Sequence, residues 1–179
     1  MTFSNPAADA ARSASAYVRA LLDLLGSRDP LEVLEELVPW VGARTAGLTD
    51  AGLRQPEAPG KWSVIEVLQH LADTELVMGF RTRMTLSAHR PALQGYDQDR
   101  WAAQFHYREA PLEATLAQLA GVRGGNLRVW RALEPAELER VGLHAERGEE
   151  SVSRMLRLTA AHDLVHRRQI ERILGGSGQ

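Results

Sequence analysis

Two histidines four residues apart, His162 and His166, are the residues best placed for chemistry in this chain. In a helix, at about 100° per residue, their rings lie about 40° apart on one face and about one turn apart along the axis. That is the spacing with which two imidazoles grip one metal ion. Met155, Leu158, Thr159, Val165, Gln169, Ile170 and Ile173 share their side, and Arg154, Arg157, Arg167, Arg168 and Glu171 take the other. Both histidines therefore belong to a buried stripe, where an unpaired imidazole is costly. A shared metal would give both a partner. A third ligand must come from another helix, and His70 is the best candidate. Its face carries Glu66, Asp73, Thr74, Val77 and Arg81, on a helix otherwise lined by Val64, Ile65, Val67, Leu68, Leu71 and Leu76. A polar stripe on so apolar a helix suggests a hydrophilic pocket inside a bundle. The second apolar side of the same helix suggests a subunit contact, hence a homodimer.

Plainer readings stand beside these. A core histidine is often just hydrogen-bonded, and an H-x-x-x-H pair arises by chance. The arginines of the last helix read as a solvated face, Glu66 as a capping residue rather than a base, and Asp73 and Glu75 as surface or ion-pair groups.

Rigid elements must aim these side chains. The chain is rich in Ala, Leu, Glu and Arg and shows no alternating strand pattern with a hairpin turn, so it reads as all-α. A helix is expected from about Ala8 to Leu25, ending at Gly26. The next opens on Ser27 or Asp29 as cap with Pro30 in its first position. Leu31, Leu34, Leu37, Val38 and Val41 recur there at helical spacing, and Pro39 should kink or end it. Thr45 to Trp62 is a long connection. Ser63 and Glu66 form an S-x-x-E capping box that opens a helix reaching about Ser87. A second connection, His89 to Ala110, holds Gly95-Tyr96-Asp97 and a short helix around Trp101; it suits a lid, a pocket wall or a structural plug. Pro111 opens another long helix to about Leu133, whose Gly121, Gly124 and Gly125 weaken its middle or permit close packing. Glu134 to Glu150 reads as a polar loop, and Ser151 opens the last helix, which ends at Gly175-Gly176. The expected architecture is a four-helix bundle with an extra N-terminal helix, in a single domain spanning 1–179.

Composition narrows the function. There is no cysteine, which excludes a cysteine nucleophile, a disulfide framework and thiolate metal sites. A formal net charge of -2 gives no electrostatic case for a nucleic-acid partner. No apolar run is long enough to span a bilayer, and Met1 to Arg12 lacks the pattern of a secretory signal, so a cytoplasmic protein without a membrane partner is expected.

The stretch Trp62-Ser63-Val64-Ile65-Glu66-Val67-Leu68-Gln69-His70-Leu71-Ala72-Asp73-Thr74-Glu75 resembles the W-S-x-x-E-x-x-x-H-L-x-D-x-E signature of the DinB/YfiT-like superfamily of helical-bundle metalloenzymes. Ala161 to Ile170 is similar to its second signature, H-x-x-x-H followed by Q-I. The resemblance covers about Leu31 to Leu174. Carried over by position, it implies that His70, His162 and His166 bind a divalent metal, usually nickel or zinc. The segment Gly142 to Gly148 also resembles a recurring family segment. His144 within it reads as a loop histidine or as a group reaching the mouth of the metal site.

Three neutral imidazoles leave an ion its full charge and an open position, where a water or a thiol can be ionised. Glu66, Asp73, Thr159 and Gln169 are near enough in helical phase to orient the rings. The resemblance implies a small-molecule substrate and either metal-dependent hydrolysis or S-transfer with a low-molecular-weight thiol such as bacillithiol, mycothiol or glutathione. The competing reading is a metal-stabilised structural or stress-response protein, its site closed by a fourth ligand.

Overall fold

The structure, a computed structural model, describes residues 6–176. Its helices are α1 (Pro6–Leu25), α2 (Pro30–Thr45), α3 (Asp50–Arg54), α4 (Val64–Ser87), α5 (Gln98–Gln104), α6 (Leu112–Arg131), α7 (Pro135–Leu138) and α8 (Val152–Gly176), with a 3-10 turn at Tyr107–Glu109. Three short strands, β1 (Ala92–Leu93), β2 (Val141–His144) and β3 (Gly148–Ser151), form a small sheet. Among the described residues no helix is long and apolar enough to cross a membrane.

The expected bundle is present. Helix α2 packs against α6 and α8, and α4 packs against the same two. Around the bundle the order is therefore α2–α6–α4–α8. Helices α2 and α4 stand on one diagonal, α6 and α8 on the other. A diagonal cannot be spanned by a tight turn, which is why the connections 46–63 and 132–151 are long. Helix α1 docks on α8 from outside this ring, the extra helix expected from the sequence.

Each long helix joins through a buried stripe. Leu37 and Val41 of α2, Leu68 and Leu71 of α4, Leu119 of α6 and Ile170 of α8 share one cluster in the interior. Val18, Leu21 and Leu25 of α1 meet Leu158, Ala161 and Leu164 of α8 in another. Each such Leu or Val contributes about 1.5–3 kcal/mol by leaving water. The caps follow the sequence: the Asp29 carboxylate accepts from the Leu31 N–H at 2.8 Å, and the backbone N–H and hydroxyl of Ser63 donate to Glu66 at 2.8 and 2.6 Å.

Three expectations change. Pro39 neither ends nor shortens α2, which runs on to Thr45. The proline lies on the exposed side, where water can take the carbonyl it frees, while Leu37 and Val41 hold the buried side. Glu134 to Glu150 is not simply a loop. It contains α7 and most of a hairpin in which β2 pairs antiparallel with β3 and parallel with β1. Strands of two to four residues are too short to show alternation. What makes them possible is Gly142, where a Cβ would stand 2.7 Å from Leu93, and Gly148, which turns the chain at φ +74°. Gly121, Gly124 and Gly125 do not mark close packing, since a Cβ at each meets open space. The tight approach of α4 to α6 occurs at Gly79, where a Cβ would collide with the Asn126 amide.

One buried cation touches all four helices of the ring. Arg123 of α6 donates to the Asp163 carboxylate of α8 at 2.8 and 3.1 Å and to the Leu34 carbonyl of α2 at 2.6 Å. Its other terminal nitrogen lies 3.0 Å from Glu75 of α4. Asn126 donates to the same Glu75, at 2.9 Å from its side-chain oxygen. Burial pushes the Asp163 carboxyl up, to about 6, against the pull of Arg123. Burial alone would lower the Arg123 pKa, but Asp163 and Glu75 hold it above the usual value. Of the two readings for Glu75, the ion pair holds and the surface position does not. Replacing Arg123 with Met leaves two carboxylates buried without a counter-charge. We expect a loss of about 3–5 kcal/mol in urea denaturation. A loss below about 1 kcal/mol would show that the helices do not depend on this contact.

Candidate metal centre

His70 sits in the second turn of α4, its ring 5.0 Å from that of Trp62. His162 and His166 project from successive turns of α8. The α4–α8 packing brings the three rings together. The Nε2 of His162 stands 3.1 Å from the Nε2 of His70 and 3.1 Å from that of His166. One ligand atom from each of the three residues lies within 4.8 Å of the others. Two nitrogens bound to one ion at about 2.0–2.1 Å stand about 3 Å apart, so this spacing fits a shared cation.

Proton bookkeeping supports the fit. The Nδ1 of His166 faces the Gln169 side-chain oxygen at 2.7 Å. That contact places its proton on Nδ1 and leaves a lone pair on Nε2. The Nε2 of His162 then faces two ring nitrogens and, as a neutral donor, can make only one linear hydrogen bond. A cation satisfies all three inward nitrogens at once. The Nδ1 atoms of His70 and His162 have no protein partner and are buried, a cost that a cation on the Nε2 side would help to offset.

The rings are held neutral, the state in which imidazole is a ligand. Burial lowers His70 to about 3, with His166 adding to the effect. Burial lowers His166 to about 4, against its contact with Gln169. His162 is pushed well below its usual value by burial and by the two neighbouring rings. His162 is nevertheless the ring open to space, because it borders a cavity of about 210 Å³. Tyr17, Val18, Val77, Arg81, Tyr96 and His144 also line that cavity.

The supporting residues sort differently from expectation. Gln169 is the one sequence candidate that touches a ligand ring. Glu66 is committed to Ser63, as its capping role predicted. Thr159 donates to the Met155 carbonyl at 2.8 Å. Asp73 is buried rather than on the surface, and it accepts from Tyr107 at 2.5 Å and Gln118 at 2.8 Å. His144 closes β2 and is buried, so it is not a loop histidine. It lies on the cavity wall outside the three-histidine cluster. Tyr96 is a wall residue: its hydroxyl meets that of Thr74 at 3.1 Å, and Trp101 packs behind it at 4.6 Å. Arg123, Tyr107 and Gln118 were not singled out. Arg123 had a signal, since it falls at the four-residue interval between Leu119 and Leu127 on a buried stripe.

Two measurements follow. An unfolded histidine titrates near 6.5, and these three titrate lower once folded. Between those values the unfolded chain binds more protons, so metal-free protein should lose stability as pH falls from about 6.5 to about 4. Asp163, lifted to about 6, works in the opposite direction with one proton against three. A flat urea midpoint across that window would contradict buried neutral rings. Gln169→Leu should weaken metal affinity by about 10–100-fold, measured by competition with a chelator; unchanged affinity would remove Gln169 from the site.

Comparison with known proteins places the site in a family. The DinB superfamily sequence model matches residues 41–170. A protein of Geobacillus thermodenitrificans named "Putative metal-dependent hydrolase" is 29% identical over 62% of this chain, and the match spans 62% of its own length. YfiT of Bacillus subtilis, with the same kind of name, is 26% identical over 82% of this chain and 85% of its own. The solved structure of YfiT superposes with a TM-score of 0.78 at 25% identity, covering 83% of this chain and 86% of that one. It is described as a probable metal-dependent hydrolase with an unusual four-helix bundle topology. With its bundle, both signature stretches inside the match and three convergent imidazoles, the chain belongs to the DinB superfamily.

Proposed function

We propose that the chain is a metal-dependent hydrolase acting on a small molecule held in the cavity beside His162. The observation that carries this reading is the openness of the cluster. Among the described residues no fourth His, Asp or Glu joins the three rings, and a cavity reaches one of them. A structural site would be closed by a fourth protein ligand. The names of the relatives support hydrolysis over other metal chemistries.

His70, His162 and His166 would hold the ion through Nε2, and imidazole donors suit zinc or nickel. The chemistry such an ion supplies when bound is Lewis acidity, which acidifies a water or thiol and polarises an ester, amide or phosphoryl oxygen. The chain does the rest. Gln169 fixes the His166 tautomer. Neutral rings keep the donor set free of bound protons at neutral pH. Val18, Val77 and Tyr96 give the cavity a largely apolar wall, against which an apolar part of a small molecule can pack.

The test combines metal analysis with an activity screen. Purified protein should carry zinc or nickel at about one ion per chain, the stoichiometry of one three-ligand site. His162→Ala should lose most of that metal while keeping its helical circular dichroism. Metal-loaded protein should hydrolyse an ester, amide or phosphoester, and His162→Ala should not. Turnover only in the presence of a low-molecular-weight thiol would replace hydrolysis with S-transfer. Stoichiometric metal with no turnover in either screen would favour a structural role.

A further inference from the structure

Among the described residues two arginines are almost wholly buried, and their surroundings differ. Arg123 has two carboxylates and a carbonyl. Arg81 is 6% exposed and forms no ion pair among the described residues. One terminal nitrogen donates to the Gln94 carbonyl, the other meets only the Met78 sulfur at 3.7 Å, and Nε has no partner. A guanidinium presents five donors in a fixed fork. Burying that cation without a counter-charge costs several kcal/mol, and a fold that keeps one has a use for it.

The neighbouring carboxylates do not fill the gap. Glu150 is fully buried but accepts from Arg147 at 2.6 and 2.9 Å. Asp73 is engaged by Tyr107 and Gln118. Glu146 is exposed at the cavity rim. Arg81 lines the same cavity as His162. His144, whose Nε2 is also buried and unpartnered, stands on that wall too. Val18, Leu21, Val77, Met78 and Leu158 make up much of the remaining lining.

We infer that this cavity takes a small amphipathic molecule whose anionic head group, a carboxylate or a phosphate, pairs with Arg81 while its apolar body lies along the Val18–Val77 wall. The inference rests on the reading of the cavity as a substrate site. It deepens that reading by assigning the substrate class: one end anchored by charge at Arg81, the reactive end presented toward His162. Planar bidentate recognition of carboxylate or phosphate is what an unpaired guanidinium does best.

A metal ion would also attract a carboxylate, so binding is measured on chelator-treated protein. Isothermal titration with hexanoate, hexyl phosphate and hexan-1-ol is the direct test. One or both anions should bind saturably and the alcohol should not; whichever anion binds more tightly identifies the head group. Arg81→Gln should weaken that binding about tenfold or more, the loss of one charge-assisted contact. Val77→Phe, which fills the cavity without touching the charge, should do the same and serves if Arg81→Gln fails to fold. Equal binding by Arg81→Gln, no saturable binding of either anion, or binding of the alcohol alone would overturn the assignment. Metal content is independent of this titration, so a failed anion site and a failed metal site give different results.

Discussion

A guanidinium removed from water is costly without a counter-charge, and Arg123 finds two carboxylates and a carbonyl on the three other helices of the ring. It reaches Asp163 on α8, Glu75 on α4 and the Leu34 carbonyl on α2. Apolar packing alone would tolerate sliding of one helix along another. A two-pronged contact to Asp163 does not, because a small shift breaks both bonds at once. Such networks add little net stability over apolar packing, but they fix register. Register is what the three-histidine cluster needs. Asp163 adjoins His162 in sequence, and Glu75 follows His70 by little more than one turn. Holding those two carboxylates on one cation holds α4 and α8 at the offset that brings their Nε2 atoms to 3.1 Å.

The diagonal order of the helices has a second consequence. Because α6 and α8 stand on opposite corners, the chain between them must cross an end of the bundle. It uses that crossing to build the β2–β3 hairpin and to put His144, Glu146 and Arg147 on the wall of the cavity that His162 borders. The connection from α4 to α6 adds β1 to the same sheet and sets Tyr96 against Thr74. The connections and α1 thus close a cavity whose remaining walls are α4 and α8, the ring helices that carry the three histidines. Rigid helices position the donors, and the segments that can vary in length and sequence shape what reaches them.

Much of this was legible in the residues. The spacing of His162 and His166, the apolar company they keep and the capping box at Ser63 each specify a local geometry that the structure retains. The resemblance to the superfamily supplied the third ligand, which spacing alone could only nominate. The hairpin was not legible because its strands are too short for period-two alternation, and its cause, the fit of Leu93 over Gly142, joins residues far apart in sequence. Asp73 and Glu75 looked like ordinary polar positions because their partners, Tyr107, Gln118 and Arg123, lie on elements whose docking no local pattern reveals. The bundle order, too, depends on which stripe meets which.

The electrostatic plan of the interior then follows from one asymmetry. Most buried titratable groups near the centre are either neutral by desolvation or charged with a partner. The three clustered histidines are of the first kind, and Arg123, Asp163, Glu75 and Glu150 are of the second. Arg81 belongs to neither: it is charged, buried and unpaired. In a low-dielectric cavity an unpaired cation projects its field farther than in water. Among the described residues Arg81 is a buried guanidinium with no ion-pair partner, and it lies on the wall of the space that borders His162. While the three rings are metal-free, a neutral donor set at one end and an unmet cation at the other give the cavity a polarity, and an anionic molecule with an apolar body pairs its charge at the Arg81 end.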